Sequence, residues 1–543
     1  MSWHQWAAKE STRGIEHNVR KRPDNRMRRS YPSANERRNE TMHLDPAICE
    51  RARLSRDPRF DGRFFIGVLT TGIYCRPVCP VKAPKAKNVR FYPTAAAAAE
   101  GGFRPCLRCR PEVSAGTPSL IGTSATIHRA LRLIGEGEAE EGGVARLAHL
   151  LEMTPRHLNR LFHQELGASP LAVIRTRRLH FAKRLIDETT LPMATVAFSA
   201  GFGSLRRFNA TFQELYGRTP SELRRFGGRR DENPQPGQLV FRLGYRPAFD
   251  WETLLGFLQP RATPGVEEVI GDVYRRGFRL GKSEGSLEVR NLPESNAVEL
   301  RVKTEDSLHL LEIVERVKRI FDLGAETGII TSHLRQDASL RRRVDRRPGL
   351  RVPGAWDGFE LAVRAILGQQ VTVKGATTLA GRLAETFGKP LDQSTGGLKT
   401  LFPTPQQLAE EDLTVIGIPR ARAAAIRNLA SAVAKGSVGF DSTRNPAVAV
   451  EELTALAGIG DWTAQYIAMR AFGEPDAFPA SDLGLLQAAA NGGGRLSAAE
   501  LRHKAESWRP WRAYAAMHLW QHDREPRPRS GRTTCAVRGT NSK

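Results

Sequence analysis

Leu453-Thr454-Ala455-Leu456-Ala457-Gly458-Ile459-Gly460-Asp461-Trp462-Thr463-Ala464 decides how the C-terminal half is read. A helical segment runs into Gly458-Ile459-Gly460 and a second one starts at once. Glycine adopts positive φ without a Cβ clash, so the two helices can be joined by a tight hairpin. The backbone N–H groups of such a turn point outward and suit a phosphate. Gly-Ile-Gly alone is a weak signal. It gains weight from Ala477-Phe478-Pro479-Ala480-Ser481-Asp482-Leu483-Gly484, which follows about twenty residues later. A single aspartate in that setting is usually a helix cap. Its spacing from the hairpin makes Asp482 a candidate catalytic carboxylate, able to stabilise a developing cation.

Outward from this stretch, the chain divides by texture and by charge. It has 543 residues, 40% of them hydrophobic, with a formal net charge of +24. That length suits three or four domains of about 150 residues, and that charge suits a polyanionic partner. The excess is uneven. Residues 1–44 hold 10 Lys+Arg against 5 Asp+Glu, residues 45–112 hold 13 against 6, and residues 121–230 hold 17 against 10. Residues 231–522 are nearly balanced at 36 against 35, and 523–543 hold 6 against 2. Bulk charge therefore serves the N-terminal 230 residues, and the C-terminal half must grip its substrate by local features. Residues 1–44 read as a disordered basic extension and 523–543 as a disordered tail. Gly/Pro-rich linkers lie at 111–123 and 227–237. Alternating runs between 238 and 345 predict strands, with a helix near 305–322; from 355 onward the pattern is helical. No apolar run reaches the roughly 20 residues of a membrane span, and there is no secretory signal core. The expected location is the cytoplasm, at the nucleoid.

Four of the six cysteines form two close pairs, Cys75-x-x-x-Cys79 and Cys106-x-x-Cys109. Two such turns bring four soft ligands to tetrahedral corners, which predicts one zinc ion; a closed four-thiolate site is usually structural. Between 121 and 228 lie two helix-turn-helix signals. In the first, Thr154-Pro155 starts a helix whose exposed face offers Arg156, His157, Asn159 and Arg160. In the second, Gly201 fits the turn, Phe208 and Phe212 fit the core, and Arg206, Arg207 and Asn209 are candidate readers.

Thr70-Thr71-Gly72-Ile73-Tyr74-Cys75-Arg76-Pro77 and Gly102-Phe103-Arg104-Pro105-Cys106-Leu107-Arg108-Cys109 closely resemble the zinc domain of the Ada alkylation-response protein. The resemblance extends to Asp57–Gly62 and Val89–Pro93 and covers residues 45–112. It implies that Cys75 removes a methyl group from a DNA phosphotriester, with Arg76, Arg104 and Arg108 beside the phosphate backbone. Residues 121–228 resemble the AraC-type DNA-binding domain, which implies a transcriptional activator with RNA polymerase as a further partner. Ala365-Ile366-Leu367-Gly368-Gln369-Gln370-Val371-Thr372-Val373, the hairpin stretch and Trp508–Ala515 with His518-Leu519-Trp520 resemble AlkA-type 3-methyladenine DNA glycosylases.

That last resemblance implies a mixed α/β domain at 238–350 and an all-α helix-hairpin-helix domain at 351–522. It also implies a base pocket of Trp462, Tyr466 and Trp520, and DNA contacts from Gln369, Gln370, Gly458 and Gly460. At the position where that family inserts a leucine wedge, this chain has Gln370. Where strand-cutting relatives carry a lysine it has Trp462, so a monofunctional glycosylase is expected. Only Cys535 follows the catalytic region, so no iron–sulfur cluster is expected. No Pro-Cys-His-Arg motif is present, so direct repair of oxygen-alkylated guanine is not expected. The whole reads as an Ada–AlkA fusion, multidomain and mainly α with α+β parts, acting as a monomer on double-stranded DNA. The competing reading is a transcription regulator whose glycosylase-like half is an inactive scaffold.

Overall fold

A computed structural model describes residues 45–114, 125–139, 142–226, 238–392, 396–440, 445–490 and 495–521. The basic extension, the tail with Cys535, the 227–237 linker and most of the 111–123 linker lie outside the described residues.

The first unit opens with the helix Pro46–Ser55, capped by the Asp45 carboxylate. It leads into strands β1 (Phe65–Val68), β2 (Ile73–Cys75), β3 (Val89–Tyr92) and β4 (Arg104–Pro105), in sheet order β3-β1-β2-β4. Strand alternation sends Phe64 and Ile66 to one core, with Cys49 and Ala52, and Phe65 to another, with Tyr74 and Phe103. A Cβ at Gly67 would stand 2.8 Å from the Tyr92 ring and 2.9 Å from Phe103, so only glycine lets those rings close over β1. β2 and β4 run parallel, with Ile73 opposite Arg104 and Tyr74 opposite Pro105. That register brings Cys75 and Cys106, far apart in sequence, to neighbouring strand ends.

The second unit repeats one design. The helices Pro155–Leu166 and Leu205–Tyr216 are each twelve residues long. Thr154 and Ser204 cap them, accepting the amides of His157 and Arg207, both at 3.2 Å. Gly167 and Gly217 end them at φ 68° and 64°. One buries Leu158, Phe162 and Leu166, the other Phe208, Phe212 and Tyr216, while Arg156, Asn159, Arg160, Arg206, Arg207 and Asn209 are exposed. The nineteen-residue helix Pro170–Glu188 joins the two halves.

In the third unit, β5 (Gln238–Gly244), β6 (Glu267–Ile270), β7 (Val273–Leu280), β8 (Ser283–Leu292) and β9 (Ala297–Thr304) form an antiparallel sheet ordered β5-β9-β8-β7-β6. The helix expected near 305–322 runs Leu310–Ile320 and buries Ile313, Val314 and Val317. Among the described residues from Gly358 to Trp520 the regular structure is helical, apart from two two-residue strands at Lys389–Pro390 and Thr400–Leu401. Among the described residues no helix is long and apolar enough to cross a membrane.

Composition suggests beads on linkers, yet the units share surfaces. Phe208, Phe212 and Tyr216 belong to one continuous buried cluster with Phe241, Leu243 and Trp251 of the third unit. The first helix-turn-helix keeps a core of its own around Ile127, Leu147 and Phe162. Tyr74 and His180 share a 2.7 Å hydrogen bond between the first two units. Arg246, 1% exposed, donates to the Asp61 carbonyl at 3.1 Å and pairs with Glu326 at 2.7 Å. A cleft of about 400 Å³ remains where the three units meet, touching His128, His180 and Phe472.

This packing makes stability depend on pH. Burial pushes His128, His180 and His518 down to about 4 from 6.5. The unfolded chain protonates all three below pH 6.5, whereas the folded chain keeps them neutral. Burial also pushes Asp322 up to about 6 from 3.8, so there the folded chain holds a proton that the unfolded chain releases. Near pH 5 these four groups leave the unfolded state with about two extra protons. Stability should therefore fall on the order of 3 kcal/mol per pH unit between pH 6 and 4.5. Urea midpoints at pH 7 and 5 check this; equal midpoints would contradict it.

Candidate active site and metal centre

The hairpin is built from the inside. Asn445 caps the helix Pro446–Thr454, and the helix Asp461–Arg470 begins directly after the loop. In that loop Ile459 is buried at 4%, while Ala457, Gly458 and Gly460 are exposed. Gly458 has φ 93°, and a Cβ there would lie 2.5 Å from the Ala425 methyl. The anchor is thus apolar and the outer rim is bare backbone. No side chain caps the Asp461–Arg470 helix, which leaves its first-turn amides to an external acceptor.

Gln369 holds this loop from behind. Its side-chain amide donates to the Gly458 carbonyl at 2.9 Å and to the Thr463 hydroxyl at 3.1 Å. The next residue, Gln370, is exposed at φ 57°, in the left-handed region unusual for a side chain of its kind.

Asp482 caps the short helix Leu483–Ala488 through Oδ1, which accepts the Leu485 amide at 3.0 Å. It is also more than a cap. The Trp462 indole N–H donates to Oδ2 and the Trp520 indole N–H donates to Oδ1, each at 2.9 Å. Three donors from three helices hold one half-buried carboxylate. Charge-assisted bonds of this kind are about twice as strong as neutral ones, so they fix its orientation.

The aromatic residues meet at the same place. Trp462 and Tyr466, four residues apart on one helix, stack with centroids 5.4 Å apart and planes 10° apart. Tyr466 contacts Trp520 edge-on at 6.3 Å, and Phe257 of the third unit lies 6.2 Å from Trp520. Sequence reasoning did not single out Phe257, Arg261 or Arg470. Arg470 is 4% exposed; it donates to the carbonyls of Pro353 and Gly354 at 2.8 and 3.0 Å and to the Tyr466 hydroxyl at 2.8 Å. Burial alone would raise the Tyr466 phenol, but Arg470 and Arg261 outweigh it and hold it below its ordinary value. Phe257, near the end of the helix Trp251–Leu258, carries no sequence signal of its own, because it reaches the site from another unit.

At the other end of the chain, the sulfur atoms of Cys75, Cys79, Cys106 and Cys109 all lie within 4.8 Å of one another. Four sulfurs converging on one point are positioned to bind one metal ion, and an all-thiolate set suits zinc. Cys106 and Cys109 are buried; Cys75 and Cys79 are half-buried. The amides of Arg76 and Arg108 donate to the Cys109 and Cys106 sulfurs at 3.3 and 3.4 Å. Among the described residues no such bond reaches Cys75.

The Arg76 side chain turns inward. It pairs with Asp61, its Nε–Oδ1 contact being 2.8 Å, and donates to the Cys109 carbonyl at 3.0 Å. Arg104 is half-buried and Arg108 exposed.

Comparison with known proteins matches the chain in four places. Residues 48–112 match the metal binding domain of Ada, and 147–225 match a helix-turn-helix domain. Residues 240–357 match the AlkA N-terminal domain, and 363–512 match the HhH-GPD superfamily base excision DNA repair protein. The chain is 44% identical over 481 residues to the probable bifunctional transcriptional activator/DNA repair enzyme AlkA of Mycobacterium tuberculosis, covering 88% of this chain and 97% of that one. It is 35% identical over 286 residues to DNA-3-methyladenine glycosylase 2 of Escherichia coli, 52% of this chain and 96% of that one. It is also 34% identical over 177 residues to the bifunctional transcriptional activator/DNA repair enzyme Ada of Escherichia coli, 32% of this chain and 48% of that one.

The sulfur cluster yields a direct test. Purified protein should carry one zinc per chain by atomic absorption, and Cys106→Ser/Cys109→Ser should carry none. Full zinc occupancy in that double variant would show that the four sulfurs are not the site.

Proposed function

The chain belongs to the family of AlkA-type bifunctional transcriptional activators and DNA repair enzymes, and on that premise we propose that it senses DNA alkylation and excises the damage. In this reading residues 351–522 release alkylated bases such as 3-methyladenine from duplex DNA, with residues 238–350 as their companion domain. Residues 45–112 accept a methyl group at Cys75, and residues 121–228 bind promoter DNA and activate transcription together with RNA polymerase. The protein acts as a monomer, in the cytoplasm at the nucleoid. The observation that carries the proposal is the Asp482 carboxylate, clamped by two indole donors beside an aromatic wall.

Excision breaks the bond between C1′ of the sugar and the base nitrogen, and the bonding electrons leave with the base. An N-alkylated purine carries a formal positive charge, so it departs neutral and needs no proton from the protein. Trp462, Tyr466 and Trp520 offer ring faces to the flipped-out base. Asp482 stabilises the cation that develops at C1′, water adds there, and its surplus proton leaves to solvent or to the carboxylate. Trp462 offers no amine, so no covalent imine forms and the strand is not cut. Outside the pocket, Gly458 and Gly460 present backbone to phosphate, Gln370 stands at the gap left by the base, and Gln369 keeps the hairpin in place. Arg156, Asn159, Arg160, Arg206, Arg207 and Asn209 face the promoter grooves.

At Cys75 the sulfur attacks the methyl carbon of a phosphotriester. The S–C bond forms, the C–O bond breaks, and its electron pair restores the negative phosphodiester. Zinc, when bound, keeps the sulfurs in their thiolate form. Cys75 suits the attack because it is accessible and its sulfur receives no backbone N–H, whereas those of Cys106 and Cys109 do. Arg104 and Arg108 hold the backbone at that point.

Incubation with methylated duplex DNA should release free 3-methyladenine. Asp482→Asn should cut the rate by about 100-fold or more, the usual cost of losing a transition-state charge stabiliser. Equal release by both proteins would end the excision claim. After exposure to methylphosphotriester DNA, mass spectrometry should find one added methyl, on Cys75. A methyl on another cysteine, or none, would refute the sensor assignment.

A further inference from the structure

We propose that Asp476 and Gln465 are positioning residues for excision: they hold the strap 474–481 and so aim the Asp482 carboxylate. The inference rests on the excision reading above and deepens it.

The strap leads into the helix Leu483–Ala488 and has no regular structure of its own. Turn bonds set its shape. The Ala477 amide donates to the Glu474 carbonyl at 3.2 Å, the Ala480 amide to Phe478 at 2.9 Å and the Asp482 amide to Pro479 at 2.9 Å. These bonds are internal, so they do not fix where the strap lies against the aromatic wall. Two outside anchors do.

The first anchor is ionic. Asp476 Oδ1 accepts from Arg512 Nε at 2.8 Å, and Oδ2 accepts from Arg512 Nη2 at 3.0 Å and from Arg509 Nη1 at 2.6 Å. The neighbouring Pro475 carbonyl accepts the Ala513 amide at 2.9 Å. A two-pronged arginine grip fixes direction as well as distance. The Arg512 and Asp476 side chains are only 15% and 20% exposed, so salt and water weaken this pair less than a surface pair. Arg512 opens the helix Arg512–Trp520, whose far end carries Trp520. The second anchor is neutral. Gln465 Oε1 accepts the Phe478 amide at 3.1 Å. Gln465 lies between Trp462 and Tyr466 on the helix Asp461–Arg470.

Each helix that gives Asp482 an indole N–H therefore also holds the strap that carries Asp482. Among the described residues neither Asp476 nor Gln465 bonds to Asp482, whose donors are Trp462, Leu485 and Trp520. Both act on it through the chain. Substrate binding rests on the hairpin and the rings, whereas stabilising the cation needs the carboxylate in one place. A displacement of about 1 Å can cost about 100-fold in rate. Releasing an anchor should therefore slow the chemical step and spare affinity.

The test uses the full-length protein and methylated duplex DNA. Single-turnover release of 3-methyladenine gives the rate at saturating protein, and the half-saturating concentration reads affinity. Gln465→Met removes the acceptor and keeps the length of the side chain. It should lower the rate about tenfold and leave the half-saturating concentration within about twofold. Gln465→Glu keeps the acceptor and should stay within about threefold of the wild-type rate. Asp476→Ala should lower the rate at least as much as Gln465→Met. In an Asp482→Asn background either change should cost less than about twofold, because no carboxylate is left to aim. Equal fold losses in the two backgrounds would mean a merely structural role and would overturn the proposal. So would an unchanged rate in Gln465→Met, or a loss of affinity that accounts for the whole effect. If Asp476→Ala fails to fold, the Gln465 variants in the two backgrounds still decide. Wild-type protein that releases no 3-methyladenine would remove the excision reading, and this inference with it.

Discussion

A carboxylate beside an aromatic wall has little water to solvate it, and the rest of the glycosylase half is arranged around supplying donors in water's place. Burying a charge without hydrogen-bonding partners is costly. Asp482 receives three donors, and each comes from a different helix: Trp462 from Asp461–Arg470, Leu485 from its own helix, and Trp520 from the last helix of the described chain. The indoles thus do two jobs at once. Their N–H groups orient the carboxylate and their rings belong to the aromatic wall, so the carboxylate and the wall cannot drift apart. The hairpin shares this constraint, because the helix that starts at its rim is the one that carries Trp462 and Tyr466.

The same logic of shared groups joins the two halves of the molecule. Asp61 serves both neighbours. Its carboxylate holds Arg76 beside the sulfur cluster, and its backbone carbonyl accepts from Arg246 in the sheet unit. Arg246 in turn pairs with Glu326, which also meets Arg63 at 3.4 Å. Removing one partner from a buried pair of this kind is strongly destabilising, because the other charge is left buried. The reader is tied in by apolar burial instead, since its second helix-turn-helix has no core separate from the sheet. The uneven charge of the chain therefore does not reflect loosely tethered parts.

What could be read from sequence was what is local in sequence. Two cysteine pairs three and four residues apart announce a metal knot. Thr154-Pro155 and Ser204 announce helix starts. Gly458-Ile459-Gly460 announces a hairpin. Each rests on a few adjacent residues and on backbone physics that tertiary packing does not override. Phe257, Arg261 and Arg470 were silent because their meaning depends on one unit folding against another. Arg76, expected beside the phosphate backbone, also meets a partner that its sequence neighbourhood does not announce: the fold brings Asp61 within reach of its guanidinium. Gln369, read as a DNA contact, spends its amide on the hairpin for a similar reason.

Gln370 follows from its neighbours. Gln369 is drawn back toward the hairpin, and two residues after Gln370 the hydroxyl of Thr372 caps the next helix by accepting the Gly375 amide at 3.1 Å. The chain must reverse between those two anchors, which places Gln370 at φ 57° and leaves it exposed. A left-handed glutamine costs energy that a glycine would not, and such strain persists only where the surroundings over-determine it. On either side of the next anchor, Val371 and Val373 are 38% and 41% exposed. The projection therefore pairs a polar apex with apolar flanks. The departure from the expected leucine is confined to that apex, where an amide stands instead.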